Sequence, residues 1–328
     1  MKRRPSYGPT AVSKRGLQTI LGAGGVIGEE LMRELLVFTN RVRLVRRHPA
    51  PPGPNMEAVG ADLLNPAQAS EAVRGSDVAY LVAGLPYIAS VWIDQWPVIM
   101  RNVIAGCRQH GVRLVFLDNV YLYGNVKGAM TERTAANPCS RKGVVRSRIV
   151  NLLMDEIASG HVQGLIARSA DLYGPGATNS LMHPLVFEQL RDRGKAVWLC
   201  SDQVPHSMVY TSDAGRAIAL LGNAAEAYGQ VWHLPSDPDA PTGKRFIEMA
   251  ASVFQCEPVY RVIGSRILRL AGWFHRAARE SVEMLYQYSE PYVFDSSKFS
   301  HRFFPATPYM KGIRETADCM VRWSRPST

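Results

Sequence analysis

Apolar and polar positions repeat with two different periods over the first half of the chain. Short apolar runs predict buried strands at residues 17–21, 41–46, 56–61, 77–83, 112–118 and 164–168. Apolar residues three or four positions apart predict helices between them, at residues 26–37, 66–74, 91–110 and 141–158. Strands that alternate with helices usually pair in parallel through right-handed crossovers, so the pattern predicts a doubly wound α/β sheet.

The first of these strands runs into a glycine-rich turn, ILGAGGVIGEEL, in which Gly22, Gly25 and Gly28 are three positions apart. In such a turn the first glycine permits the bend, the second lets the backbone approach a pyrophosphate, and the third lets the helix pack on the strand. The helix start at Val26 and Ile27 offers free N–H groups to phosphates. The turn predicts a bound dinucleotide, and a purely structural turn is the weaker alternative.

The second strand ends in Arg46 and Arg47, where dinucleotide-binding chains usually carry an acid. No Asp or Glu occurs between Glu34 and Glu57. An acid at this position binds the ribose 2′-OH, whereas an arginine suits a 2′-phosphate. We therefore predict NADP as the cofactor, with NAD as the other option. A solvated strand end is the alternative role for the two arginines.

The regular alternation loosens after Arg168, where Pro and Gly become frequent. We predict a flexible basic tail over residues 1–16 and a Rossmann-type dinucleotide-binding domain over residues 17–170, to which residues 205–235 return. Residues 171–204 and 236–328 then form a smaller C-terminal substrate domain. The pattern of apolar and basic residues at 264–285 could lie on a membrane, but packing on the core is the favoured interpretation.

The chain of 328 residues has a formal net charge of +10 and five scattered cysteines. Unclustered cysteines in odd number indicate reduced thiols and a cytoplasmic location, and we expect no signal peptide. The positive charge is spread along the chain without a nucleic-acid-binding motif. We therefore expect a phosphorylated small molecule as the partner, and neither nucleic acid nor a membrane.

With these motifs the chain resembles the extended branch of the short-chain dehydrogenase/reductase superfamily, the NAD-dependent epimerases and dehydratases, or an atypical offshoot of it. The resemblance is carried by the segments LYG at 122–124, ARSADLYGPG at 167–176, HSMVYTSDAGRAI at 206–218 and FDSSKF at 294–299. It implies further cofactor contacts from Asp62, Leu63, Ala83, Gly84, Asn102 and Leu172. Helices like those at 91–110 and 141–158 pair in family dimers, so the resemblance also implies a homodimer.

The family's catalytic residues, a Ser or Thr and then Tyr-x-x-x-Lys, are only partly matched. The Ser/Thr position falls on Asn119, and Pro138 stands four residues before the matching lysine, Lys142. By resemblance Lys142 can still hold ribose hydroxyls, an exposed helix charge being its alternative. Asn119 can orient a carbonyl or satisfy loop backbone. Tyr121 occupies a position that faces substrate in related dehydratases, so it is the candidate proton donor, with water as the alternative. His206 is expected to be structural.

These features predict an NADP-dependent oxidoreductase, epimerase or dehydratase that moves hydride between nicotinamide and a small oxygenated substrate. By analogy with the family, that substrate is a nucleotide sugar. The missing tyrosine favours a second hypothesis, an NADP-binding sensor or regulatory protein without catalysis. A third hypothesis, nucleic-acid binding, depends only on the net charge and the basic tail. If Tyr121 is the donor, the ammonium of Lys142 should lower its pKa.

Overall fold

The computed structural model describes residues 16–323, so residues 1–15 of the predicted tail lie outside the described part of the chain. The strands are β1 (Leu17–Leu21), β2 (Arg41–Arg46), β3 (Met56–Gly60), β4 (Ser76–Leu81), β5 (Arg113–Asn119), β6 (Ala129–Met130), β7 (Gly164–Ser169), β8 (Asp171–Tyr173), β9 (Ala196–Leu199), β10 (Met208–Tyr210), β11 (Val231–His233), β12 (Tyr260–Ile263) and β13 (Val293–Phe294).

The α-helices alternate with these strands in the first half and cluster towards the C-terminus. They are α1 (Val26–Leu35), α2 (Pro66–Val73), α3 (Ala89–His110), α4 (Arg141–Ala158), α5 (Glu188–Arg193), α6 (Thr211–Asn223), α7 (Gly243–Phe254), α8 (Ser265–Phe274), α9 (Arg276–Val282), α10 (Tyr286–Ser289), α11 (Ser297–Arg302) and α12 (Tyr309–Trp323). Single 3₁₀ turns form at Val120–Tyr123 and Ala225–Ala227, and a π-helical turn forms at His183–Phe187.

Seven strands form one central sheet in the order β11-β7-β5-β4-β1-β2-β3, and each neighbouring pair is parallel. The strand order reverses between β1 and β4, which is where Rossmann-type sheets bind their ligands. The predicted doubly wound α/β fold of Rossmann type is confirmed. Residues such as Ile20, Val78, Val115 and Ile166 are completely buried, because the strands of such a sheet are covered by helices on both faces.

A later segment of the chain returns to this sheet. Strand β11 pairs with β7, and helix α6 packs closely on α1. A Cβ on Gly215 of α6 would lie only 2.5 Å from Cβ of Glu30, so the small residue permits the close approach of the two helices.

A second core lies in the C-terminal part and is built largely of aromatic rings. Phe187, Trp198, Phe246 and Tyr288 are buried together there. The short parallel pairs β8–β10 and β6–β13 bring chain from before and after this core into contact. This part of the molecule is thus assembled from segments distant in sequence.

Helices α8 and α9 differ from the sequence expectation. Extended backbone at His275 separates them, and α8 buries only Gly272, where a Cβ would lie 3.1 Å from Cα of Arg279. Leu268 of α8 is partly buried against the second core, whereas Ile267, Leu270, Trp273 and Phe274 are exposed. Within residues 16–323, no helix combines the length and the apolarity needed to cross a bilayer.

Candidate active site

The glycine-rich turn at the end of β1 is closed on two sides and open on the third. Gly22 has φ +102°, and a Cβ there would lie 2.4 Å from Cα of Ala83. A Cβ on Gly28 would lie 2.8 Å from the carbonyl oxygen of Gly22, whereas one on Gly25 would meet only that oxygen, at 3.8 Å. The open side at Gly25 is the approach that a pyrophosphate requires.

Helix α1 begins directly at this opening. Its N-cap residue is Gly25, which has no side chain to satisfy the free donors. The N–H groups of Val26, Ile27 and Gly28 therefore have no acceptor within the helix, and they lie at its positive end. These residues fit the pyrophosphate of a dinucleotide.

The arginine side chain of Arg46 lies beside the turn. Its Cδ and Nη1 atoms are 3.6 and 3.7 Å from the position that a Cβ on Gly24 would take. Arg47, the next residue, is exposed. In the described part of the chain neither guanidinium group has a carboxylate partner, so their charge is available to an anionic ligand.

The remaining predicted cofactor residues line the loops around this turn. Asn102 on α3 donates hydrogen bonds from Nδ2 to the carbonyl oxygens of Leu63 and Leu64, at 2.9 and 3.0 Å. Asp62 Oδ1 accepts from the N–H of Leu64 at 3.0 Å. Asn102 thus holds the loop after β3 in place. Ala83 and Gly84 follow β4, and Leu172 lies in β8, whose neighbouring Gly176 approaches Val26.

Lys142 is completely buried in an ion-paired cluster. Its Nζ donates to the carbonyl oxygen of Glu280 at 2.8 Å, to Oε2 of Glu280 at 3.0 Å and to Oε1 of Glu283 at 2.8 Å. The ammonium also lies 4.4 Å from the ring centroid of Tyr87. We call Lys142, Glu280 and Glu283 the lysine clasp. All three N–H donors of the lysine are engaged in it, so none points to a ribose in this arrangement.

The surroundings of Glu280 and Glu283 favour the ionised form of both carboxylates. Burial alone would raise the pKa of Glu280, but the backbone N–H of Ala89 and the Lys142 ammonium outweigh it and lower that pKa. The pKa of Glu283 is lowered by Lys142 and Arg141 against the same effect of burial. Both carboxylates are therefore ionised at neutral pH, and their two negative charges face the ammonium of Lys142 and the guanidinium of Arg141.

Tyr121 lies in an aromatic layer near the clasp. Its ring stacks on Trp92 with 6.1 Å between centroids, and its hydroxyl oxygen is 3.3 Å from that of Tyr87. Burial, and then the charge of Asp171, raise the pKa of Tyr121. This differs from the expectation that Lys142 lowers it, because burial and the charge of Asp171 outweigh the opposite effects of the Tyr87 hydrogen bond and of Arg146.

Asn119 and Asp118 at the end of β5 have different surroundings. Asn119 Oδ1 accepts from the N–H of Tyr121 at 3.2 Å, which leaves its Nδ2 group to donate. Asp118 is buried, and its two oxygens accept from Nε of Arg146 at 2.7 Å and of Arg168 at 2.8 Å. Asp118 thus serves as the buried counter-charge of Arg146 and Arg168, although ligands bind at this end of the strands in such sheets.

Next to this layer lies a second polar cluster. The carboxylate oxygen Oδ2 of Asp171 is 3.0 Å from His206 Nε2 and accepts from the Tyr288 hydroxyl at 3.0 Å. His206 Nδ1 is 3.1 Å from the carbonyl oxygen of Gln287. Because a carbonyl can only accept, Nδ1 of His206 donates to Gln287, and Nε2 faces the carboxylate of Asp171.

Asp171 is the accessible member of this cluster. Its side chain is 21% exposed, whereas that of His206 is 1% exposed and is stacked between Tyr288 and Tyr292. Burial first, and the charge of Asp171 second, raise the pKa of Tyr292. The buried hydroxyl of Tyr292 has no hydrogen-bond partner among the described residues.

Sequence reasoning missed the Asp171 cluster and the acidic half of the clasp. His206 and Tyr288 are 35 and 117 residues from Asp171 along the chain, so no spacing links them. The sequence held one signal for the acidic half of the clasp. Glu280 and Glu283 are the first acidic residues after a stretch, residues 258–279, that contains no Asp or Glu.

Comparisons with known proteins agree with this geometry. The sequence model of the NAD dependent epimerase/dehydratase family matches residues 19–233. The uncharacterized UDP-glucose epimerase YtcB of Bacillus subtilis is 25% identical over 228 residues, which cover 62% of this chain and 72% of that protein. The ceramide reductase of Caulobacter vibrioides is 26% identical over 219 residues, 64% of this chain and 62% of that protein.

A solved structure shows the same fold over almost the whole length. MoeE5 in complex with UDP-glucose and NAD superposes with a TM-score of 0.76 and 21% identity, over 94% of this chain and 99% of that chain. Since the family model covers more than half of the chain and includes the glycine turn and the parallel sheet, this protein belongs to the NAD-dependent epimerase/dehydratase family.

Proposed function

We propose that this protein is an NADP-dependent oxidoreductase or epimerase/dehydratase acting on a small oxygenated substrate of the nucleotide-sugar class. The observation that carries the proposal is the glycine turn, closed at Gly22 and Gly28 and open at Gly25, with Arg46 beside it. When bound, the nicotinamide supplies or accepts the hydride. The names of two relatives support the substrate class, since one is a UDP-glucose epimerase and the other was solved with UDP-glucose and NAD.

Preference for NADP over NAD rests on Arg46. A guanidinium–phosphate contact contributes on the order of 1.5–3 kcal/mol, or tenfold or more in affinity. Calorimetric titration of both cofactors should therefore give tighter NADP binding, and Arg46→Ala should lower NADP affinity about tenfold while NAD affinity stays unchanged. Arg74→Ala, an exposed arginine after α2, is the matched control. Equal affinities in the unmodified chain would refute the preference.

For the proton that accompanies hydride transfer, Asp171 is a stronger candidate than Tyr121. Asp171 is partly exposed and its carboxylate contacts the ring of His206, whereas burial raises the pKa of Tyr121. Asp171 would protonate the reacting substrate oxygen in reduction and take the proton back in oxidation. His206 and Tyr288 would hold the carboxylate in position.

Two variants separate the candidates. Asp171→Asn keeps the shape of the side chain but not its proton exchange, and should lower kcat about 10²–10⁴-fold. Tyr121→Phe removes only a hydroxyl and should cost much less. Steady-state kinetics with UDP-glucose and with ceramide, the compounds named for the relatives, would measure both. The reverse ranking would return the donor role to Tyr121.

The lysine clasp favours a second candidate function, a catalytically inactive NADP sensor. With Pro138 four residues before it, Lys142 has no tyrosine at the family spacing, and its donors are taken by Glu280 and Glu283. Tight NADP binding without turnover of any carbonyl or sugar-nucleotide substrate would support the sensor. Turnover by the unmodified chain would exclude it.

Two further expectations belong to this proposal. Val144 on α4 is 56% exposed and Ile93 on α3 is 45% exposed, which suits a homodimer formed through these helices. Sedimentation of the unmodified chain and of Val144→Glu would test it, since the charge should separate the subunits. The cysteines of the described residues are free thiols, in keeping with a cytoplasmic location.

A further inference from the structure

Helix α8 exposes more large apolar surface than any comparable element of the described chain. Ile267, Leu270, Trp273 and Phe274 are 63%, 58%, 80% and 77% exposed. At 3.6 residues per turn they fall within an arc of about 120° on one face. Contiguous exposure of a Trp, a Phe and two aliphatic side chains marks an interaction surface, because isolated soluble chains rarely leave such patches to water.

The same region is strongly basic. Arg261, Arg266, Arg269, Arg276 and Arg279 are all exposed, and residues 258–279 contain no Asp or Glu. None of the five guanidinium groups forms an ion pair with any residue between 16 and 323. Arg266 falls within the apolar arc near Trp273, and Arg269 lies just outside it on the same side, so charge and apolar surface are presented together.

We propose that α8 docks on an anionic lipid bilayer, with Trp273 and Phe274 in the interfacial layer and the arginines on lipid phosphates. Amphipathic helices with an aromatic apolar face and arginines beside it bind anionic membranes in this way. A second copy of this chain is a poorer occupant, because two such faces would bring like charges together. This inference is independent of the proposed function.

Docking through α8 would place the bilayer next to α9, the following helix. After the break at His275 the chain continues into α9, whose Glu280 belongs to the lysine clasp. At the other end of α8, Arg266 and Ile267 line an open cavity of about 490 Å³ together with Cys200 and Ser201. This cavity offers space for a lipid headgroup beside an arginine.

The full chain tests the proposal with vesicles of phosphatidylcholine alone and of equal parts phosphatidylcholine and phosphatidylglycerol. Co-sedimentation should occur with the anionic vesicles only and weaken as salt is raised. The double variant Trp273→Ser/Phe274→Ser should bind at least about tenfold more weakly, because two apolar anchors are lost. The double variant Arg266→Ala/Arg269→Ala should bind the anionic vesicles about 25-fold more weakly, at about fivefold per arginine.

Matched controls lie on other exposed positions. Leu36→Ser, 40% exposed, and Arg193→Ala should leave vesicle binding unchanged. Absence of binding to anionic vesicles at low salt would overturn the proposal, as would undiminished binding by Trp273→Ser/Phe274→Ser, which would place binding elsewhere. Self-association that this variant abolishes, without vesicle binding, would make α8 a subunit interface instead.

Discussion

Replacement of Gly25 by valine should separate cofactor binding from folding. The backbone at Gly25 has φ −93° and ψ 161°, a region that a β-branched residue adopts readily. Its added Cβ would meet only the carbonyl oxygen of Gly22, at 3.8 Å, so the folded chain has room for it. The branched side chain would then occupy the open side of the turn, where the pyrophosphate must approach.

The two effects differ in size. The loss of glycine at the N-cap of α1 should lower the free energy of unfolding by at most about 1 kcal/mol. At a concentration of NADP one hundred times its Kd, the unmodified chain should gain about 2.7 kcal/mol from binding. Gly25→Val should gain nothing, so its melting temperature should not respond to NADP.

The assay is a thermal-shift titration with NADP, followed by calorimetry on both proteins. Gly264→Val is the matched control, because Gly264 caps α8 in a similar extended conformation with no heavy atom within 4 Å of its Cβ position. It should retain the full cofactor response. Gly28→Ala should instead destabilise the fold, since its Cβ would lie 2.8 Å from the Gly22 oxygen. Normal NADP affinity in Gly25→Val would refute the assignment of the turn.

Three further predictions concern buried charge. The double variant Glu280→Gln/Glu283→Gln leaves the Lys142 ammonium unpaired. It should lower the free energy of unfolding, measured in urea, by about 3–5 kcal/mol. Lys142→Met should lower it less, because both carboxylates are partly exposed. Since the pKa of each glutamate is lowered, the stabilisation from the clasp is fully present above about pH 4.3 and is lost as the pH falls through the lower folded pKa. Urea midpoints across this range should fall more steeply for the unmodified chain than for the double variant. Asp118→Asn leaves two buried arginines without a full counter-charge. It should also lower the free energy of unfolding in urea by about 3–5 kcal/mol. A smaller loss would show that Asp118 does not stabilise the fold in this way.

The elements around the cofactor turn could be predicted from sequence because their signals are local. Strand β1 and helix α4 have the predicted bounds, and β2 likewise, since apolar periodicity and the turn glycines lie within a few residues of one another. Parallel pairing follows from the alternation of strands with helices. The pyrophosphate-binding role of Gly22, Gly25 and Gly28 could be predicted because it depends only on a strand, a turn and a helix that follow one another along the chain.

The surroundings of the charged groups depended on tertiary structure. In the sequence, Lys142 resembles an exposed helix charge or a ribose ligand. In the structure, it donates its hydrogen bonds to Glu280 and Glu283, which are 138 and 141 residues away along the chain. The face of α8 that meets α9 is decided by the approach at Gly272, so its aromatic residues face water although their spacing alone suits a core helix. Local periodicity determines which elements form, because it acts through backbone hydrogen bonds and neighbouring side chains. Ion pairing and exposure are decided by segments far apart in sequence that meet only in the folded chain.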